Sequence, residues 1–272
     1  MRPSQRWRAM VEAEHAQSER IRGTPPPNDH WESYAQHFRA DPRRSDDLLV
    51  NRLAQEIALH HTVIDVGAGG GRLALPLALR CRHMVAVEPS PSMAFVLLQQ
   101  AADYGIHNVS LVQSRWEEAE VDPGHIALCA HVLYVVHDIV PFIRKLEAHG
   151  RERVLIVLFK APPQSQTYPL WKHVHGEERL PLPSLSQFEE VLQEMGINYH
   201  LEVLPPQGVR SFDSLEQALE QLSRRLYLTA GSEKRGLLER MLPDLLEEED
   251  GAFRLRGVRP LEPALVWWRP GG

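Results

Sequence analysis

Residues 62–71 read Thr-Val-Ile-Asp-Val-Gly-Ala-Gly-Gly-Gly. Val63, Ile64 and Val66 make an apolar run of strand length, and glycines at 67, 69 and 71 turn the chain out of it. Glycine admits positive φ and carries no Cβ, so a ligand can approach such a turn closely. A helix over residues 72–79 follows, and its N-terminal N–H groups and positive dipole end face back toward the turn. The stretch predicts a strand, a cradling loop and a helix, the unit from which α/β sheets are built.

Two cofactor patterns use this unit. Dinucleotide sites want G-x-G-x-x-G, and from Gly67 the sixth position is Arg72, so that register fails. The shifted register Gly69-x-Gly71-x-x-Ala74 fits loosely and leaves an NAD(P)-dependent oxidoreductase open. The other pattern is strand–Asp–x–Gly–x–Gly–x–Gly, and Asp65-Val66-Gly67-Ala68-Gly69-Gly70-Gly71 fills every position of it. In this the chain resembles the class I S-adenosylmethionine-dependent methyltransferases of the small-molecule type. The likeness continues downstream. A second strand over residues 83–87 ends in Glu88, and Ser90 and Pro91 supply the N-cap and first-turn proline of a helix through residues 93–102. Further strands are expected at 109–112, 126–129 and 154–159, with Asp138 and Gly150 bracketing the helix before the last of these.

The resemblance implies an α/β fold: a seven-stranded, doubly wound (Rossmann-like) sheet with an antiparallel last strand, here residues 264–268 beside the fifth, and an N-terminal helical cap. It implies S-adenosylmethionine as cofactor. Asp65, Gly67, Ala68, Gly69 and Gly71 would cradle it, Glu88 would accept its ribose hydroxyls, and Pro89 and Met93 would adjoin the sugar. Ser114, Arg115 and Trp116 hold the places of the adenine contacts, and Ala130 and His131 open the segment under the methionine part.

Composition bounds the function. With 272 residues, 43% of them hydrophobic, the chain can bury a sizeable core. A net charge of −6 with mixed signs gives no basic stripe, so nucleic acid is not an expected partner. The two cysteines, Cys81 and Cys129, lie in apolar runs and read as reduced core residues. The leading residues lack a signal-peptide apolar stretch and no run is long enough to span a bilayer, so the expected location is cytoplasmic.

The flanks divide the chain into a cap or lid at residues 1–58 and a methyltransferase domain at 59–272, with 160–197 as an acceptor-pocket insertion. Helical segments are expected at 7–19, 30–40 and 45–59, the first two separated by Thr24-Pro25-Pro26-Pro27-Asn28, with Trp31, Tyr34 and Phe38 as lid aromatics. Residues 160–185, rich in proline, read as a long functional loop at the sheet's ligand-binding edge. A helix at 186–195, a strand at 199–204, helices at 214–228 and 233–246, and an acidic helix end at 247–250 complete the reading.

Methyl transfer from a sulfonium is a single in-line displacement, so positioning and water exclusion outweigh any invariant catalytic group. Where the acceptor carries a proton, His131 at the end of the fourth strand is the first candidate for its base. Tyr34, Tyr134, Trp171 and His175 are the candidate substrate contacts. His173-x-His175 lacks partners at metal-binding spacing, so no metal is expected. The run Cys129-Ala130-His131-Val132 carries neither the Asp/Asn-Pro-Pro-Tyr/Phe motif of base amino-methyltransferases nor the Pro-Cys nucleophile of RNA cytosine methyltransferases. A small-molecule acceptor reacting at oxygen, nitrogen or carbon is what remains. A binding protein that retains the cofactor pocket without catalysis is the rival from another class.

Overall fold

Where a ligand can sit in an open α/β sheet is decided by where the strand order reverses. The computed structural model describes residues 1–25, 28–206, 209, 211–249 and 251–271. Two of the expected break prolines, Pro26 and Pro27, and Asp250 of the acidic run lie outside the described residues. The strands are β1 (Thr62–Val66), β2 (His83–Val87), β3 (Val109–Val112), β4 (Gly124–Ala130), β5 (Gly150–Phe159), β6 (His200–Val203), β7 (Ser211–Phe212), β8 (Leu246–Glu249), β9 (Ala252–Leu255) and β10 (Pro263–Trp268). The main sheet runs β3-β2-β1-β4-β5-β10-β6. Strands β1 to β5 pair in parallel, while β10 runs antiparallel between β5 and β6. The order turns back between β1 and β4, which places the ligand crevice beyond their carboxyl ends.

Alternation along the strands divides the core. Ile64, Val66, Ala127, Cys129, Val154 and Ile156 face one side, with α1 (Pro3–Arg22), α5 (Ile139–His149) and α7 (Leu185–Glu194) packed on them. Val63, Met84, Ala86, Ile126, Leu128 and Leu155 face the other, under α2 (Leu48–Ala54), α3 (Ala74–Ala78) and α4 (Pro91–Asp103). Both faces are covered, as a parallel sheet requires. A third core joins α6 (Tyr168–His175), α8 (Leu215–Arg225), α9 (Glu233–Leu245) and a three-stranded sheet, β7-β9-β8.

The flanks depart from the sequence reading. Residues 30–40 form only a 3₁₀ turn at Ala35–Phe38, because the Asp29 carboxylate takes Trp31 N and holds the chain in a turn. The 45–59 helix shortens to α2, whose start is set by Asp47 accepting from Leu49 N and Val50 N. The proline-rich 160–185 stretch is not a loop: it folds a 3₁₀ turn at Pro163–Thr167 and then α6, with prolines at the first positions where helices tolerate them. Glu247, Glu248 and Glu249 are not a helix end but the β8 edge strand, its charges in water and its backbone paired to β9.

Residues 1–58 do not pack as one piece. Trp7 and Val11 of α1 are fully buried in the main core, while the 29–38 segment lies across the glycine loop. Trp7 also donates its indole N–H to Val136 O at 2.8 Å. Trp7→Ala should therefore lower stability by about 3–5 kcal/mol in urea unfolding. A loss below 1 kcal/mol would show that α1 is a loose cover.

Candidate active site at the sheet's switch point

Gly67, Gly69 and Gly71 all have positive φ, but they do different things. A Cβ on Gly67 would stand 2.3 Å from Val132 Cγ2, and one on Gly71 would stand 2.9 Å from Leu75. These two serve close packing. A Cβ on Gly69 meets nothing within 4 Å, so this glycine alone of the three faces open space. Its N–H donates to Glu88 Oε2 at 2.7 Å, and Ser90 N donates to Glu88 Oε1 at 2.8 Å. The strand-end carboxylate is thus locked beside the open side of the loop. Asp65 sits within β1, 2% exposed, and no hydrogen bond among the described residues reaches its carboxylate.

The electrostatics follow from this enclosure. Burial, and next the charge of Glu88, push the Asp65 carboxyl up to about 7. Burial also raises Glu88, against the pull of the Ser90 and Gly69 N–H groups. Two buried carboxylates beside an open glycine fit a ligand with a cationic part and hydroxyls, which is the donor set that the α-ammonium, sulfonium and ribose of S-adenosylmethionine present. Asp29 closes the far side. Ser90 Oγ and Ser92 N donate to its carboxylate at 2.9 Å, and despite burial, bonds from Ser92, Trp31 and Ser90 hold its carboxyl at about 2. Nothing in the sequence marked Asp29 for this. Pro89 is exposed beside it, Ala68 is buried in the loop, and Met93 is buried under Ala35 and Phe38.

Of the adenine-loop candidates, Ser114 and Arg115 stay at the surface. Trp116 does not: it is 3% exposed in the main core, with Nε1 directed at Phe142 O and Lys145 over its ring. Burial of its large apolar area is what the ring's position achieves.

Ala130 and His131 leave β4 at the switch point. His131 takes φ 60, left-handed for a residue with a Cβ, and its ring stacks on Phe159 at 4.3 Å. Strained backbone of this kind persists where packing over-determines it, often at sites. Tyr134 OH accepts from Phe159 N at 2.6 Å and lies 3.5 Å from His131 Nδ1. The phenol proton has no other acceptor among the described residues. His131 Nε2 is buried without a partner, and burial followed by the Arg72 charge brings the ring's pKa to about 4. The ring is therefore neutral near pH 7, the form a general base needs, and burial makes it a weak one.

Two substrate candidates belong elsewhere. Trp171 is 2% exposed in the α6–α8–α9 core under the Arg179 guanidinium. His175 donates from Nε2 to Leu226 O at 2.9 Å and meets Lys234 Nζ at Nδ1, which uses both ring nitrogens. Tyr134 is buried and serves the His131 network, whereas Tyr34 remains in the covering segment, near Trp31 and Arg224. At the opposite sheet edge His60, His61 and Glu152 bring ligand atoms within 4.8 Å. His61 Nδ1, however, accepts from Ala58 N, so its Nε2 carries a proton toward Glu152 and offers no lone pair to an ion.

Residues 63–151 match the family model described as a methyltransferase domain. That stretch, which holds the glycine loop, Glu88 and His131, is a methyltransferase domain. The match overturns the oxidoreductase alternative, and the antiparallel β10, which a dinucleotide sheet does not need, agrees. An uncharacterised Haemophilus influenzae protein is 25% identical over 228 residues, 79% of this chain and 78% of its own. A provisionally named ribosomal RNA small subunit methyltransferase A of Methanosphaera stadtmanae is 24% identical over half of this chain and 48% of its own. The solved YcgJ protein of Bacillus subtilis shares the fold at TM-score 0.51 and 18% identity, covering 80% of this chain and 96% of that one.

Two outcomes separate the roles of the loop residues. Gly67→Ala should destabilise the fold, since both φ and Val132 oppose it, whereas Gly69→Ala should cost about 1–2 kcal/mol of backbone strain yet abolish most cofactor affinity. Thermal unfolding with and without the demethylated cofactor reads both. Asp65, partly protonated at pH 7 in the free enzyme, should release its proton when a cation binds beside it. Cofactor binding should then tighten as pH rises through 7, with proton release visible by calorimetry in buffers of different ionisation enthalpy and absent in Asp65→Asn.

Proposed function

We propose that this enzyme moves the methyl group of S-adenosylmethionine to a small-molecule nucleophile, at oxygen, nitrogen or carbon, by in-line displacement. The observation that carries the proposal is the pairing of Gly69's open face with the buried carboxylates of Glu88 and Asp65. The cofactor supplies an electrophilic methyl on a sulfonium. Glu88 would orient its ribose, with the carboxylate already aligned by two backbone N–H groups. Asp65 would pair with its ammonium, which restores the ionised carboxylate that burial disfavours. The 29–38 segment, fastened by Asp29 to the start of α4 and by Phe38 to Gly70, would keep water from that side. His131 Nε2, buried and unpartnered among the described residues, would meet the acceptor as a hydrogen-bond partner and weak base.

The Methanosphaera relative favours a second reading, in which RNA is the acceptor. The balance of charge speaks against it. With 30 basic and 36 acidic residues the chain lacks the surplus that phosphate backbones require. Incubation with labelled S-adenosylmethionine and two acceptor pools, small metabolites and ribosomal RNA, tests the reading. Label in the small pool alone is expected, and label in RNA alone would overturn it. Glu88→Gln keeps the shape but turns one N–H acceptor into a donor, so its affinity for the demethylated cofactor should fall by about 1–3 kcal/mol. Unchanged affinity would remove Glu88 from the site.

A further inference from the structure

A cleft of about 390 Å³ opens beside the glycine loop, lined by Leu48, Leu49, Leu204, Pro205, Pro206 and Pro263, with Arg72 and Asp47 at its polar end. Pro263 pairs with Phe159 in the β10–β5 ladder, and Phe159 carries the stacked His131 ring, so the cleft adjoins the acceptor side of the switch point. Its volume is that of a small-ligand pocket; leucine and proline side chains make up most of its lining, and the surface it exposes is polar and apolar in near-equal parts.

The charges at its polar end do not balance. Asp47 Oδ2 accepts from Arg72 at 2.8 Å and from Arg44 at 2.9 Å, so one carboxylate serves two guanidinium groups. Its other oxygen is taken by Leu49 N and Val50 N, at the start of α2. Arg44 is largely buried and also bonds Asp41 O and Arg72 O, which are neutral. Arg72 has a side chain 38% exposed and makes one ion pair, leaving most of its donors turned to the cleft or water. The neighbouring Glu262 is paired with Lys160. One positive charge is therefore left over at the end of the cleft.

We infer that the methyl acceptor is an amphipathic anion, an apolar body of small-molecule size that ends in a carboxylate held by Arg72. The inference rests on the methyltransferase reading of the same site. Guanidinium–carboxylate pairing sets the orientation, and the Arg72 charge disfavours cationic acceptors. Asp47 tunes the charge: it holds Arg72 in place and cancels half of the guanidinium surplus.

Calorimetry on the full chain, saturated with the demethylated cofactor, tests this with two probe pairs: decanoate against decanamide, and 3-phenylpropionate against its amide. The carboxylates should bind at least about tenfold more tightly than the amides, the effect of one charge-assisted hydrogen bond. Arg72→Met should erase that preference, and Asp47→Asn, which keeps a capping side chain while freeing the second guanidinium, should strengthen carboxylate binding. Cofactor titration of each variant is the control. Loss of cofactor binding in the unaltered protein would sink the methyltransferase reading itself. Intact cofactor binding with equal affinity for acid and amide, or with a preference unmoved by Arg72→Met, would overturn the acceptor class alone. Competition of a ribosomal RNA hairpin for the probes, in place of small acids, would overturn it as well.

Discussion

The side chain of Val132 fills the volume in which a β-carbon on residue 67 would lie. This one contact ties the loop after β1 to the loop after β4 across the point where the sheet order turns back. Because Val132 must sit there, the residue before it is driven into left-handed backbone, and His131 is presented with its ring flat on Phe159. The glycine at 67 is thus required by protein packing, while the next glycine, Gly69, faces open space where a ligand can sit. Close-packed interiors transmit such constraints because they yield little.

The same crossing point separates charge. On the β2 side Glu88, Asp65 and Asp29 gather three carboxylates, stabilised by backbone N–H and serine donors or left to protonate. On the α2 side Arg44 and Arg72 gather around Asp47. A cation is welcome in one half, where burial of Glu88 and Asp65 strengthens the preference, and an anion in the other, at the half-exposed Arg72. A methyl carbon passing between the halves would leave a neutral thioether behind, the sulfur keeping the bonding pair, and bond to the acceptor's nucleophile ahead.

What the sequence disclosed was whatever local patterning controls. The strand–glycine–helix unit, the strand ending at Glu88 and the Ser90 cap rest on short-range periodicity and turn chemistry, the antiparallel direction of the final strand was implied by the family resemblance, and the structure has them all. Direction of side chains is another matter. Trp116, Trp171 and His175 carry chemistry that suits a site, yet their partners, Phe142, Arg179 and Leu226, come from distant segments. The β7-β9-β8 sheet was hidden by four acidic residues that read as a solvated helix end. Arg72 stood in view only as the residue that breaks a dinucleotide register, and its sharing of Asp47 with Arg44 needs α2 in place to be seen.

Helix α1 is made well before the segments it packs on. Trp7 waits for a carbonyl 129 residues on, and Glu14 for a guanidinium 165 residues on, where Arg179 also takes Gln17 and Ser18. During synthesis an amphipathic segment with a bare indole must therefore stay unattached while most of the sheet is made, a condition that invites chaperone capture. Once α1 docks, Trp7 secures it to the sheet and Ile21 to the α6–α8–α9 core, so the N-terminus becomes the last stitch joining the two.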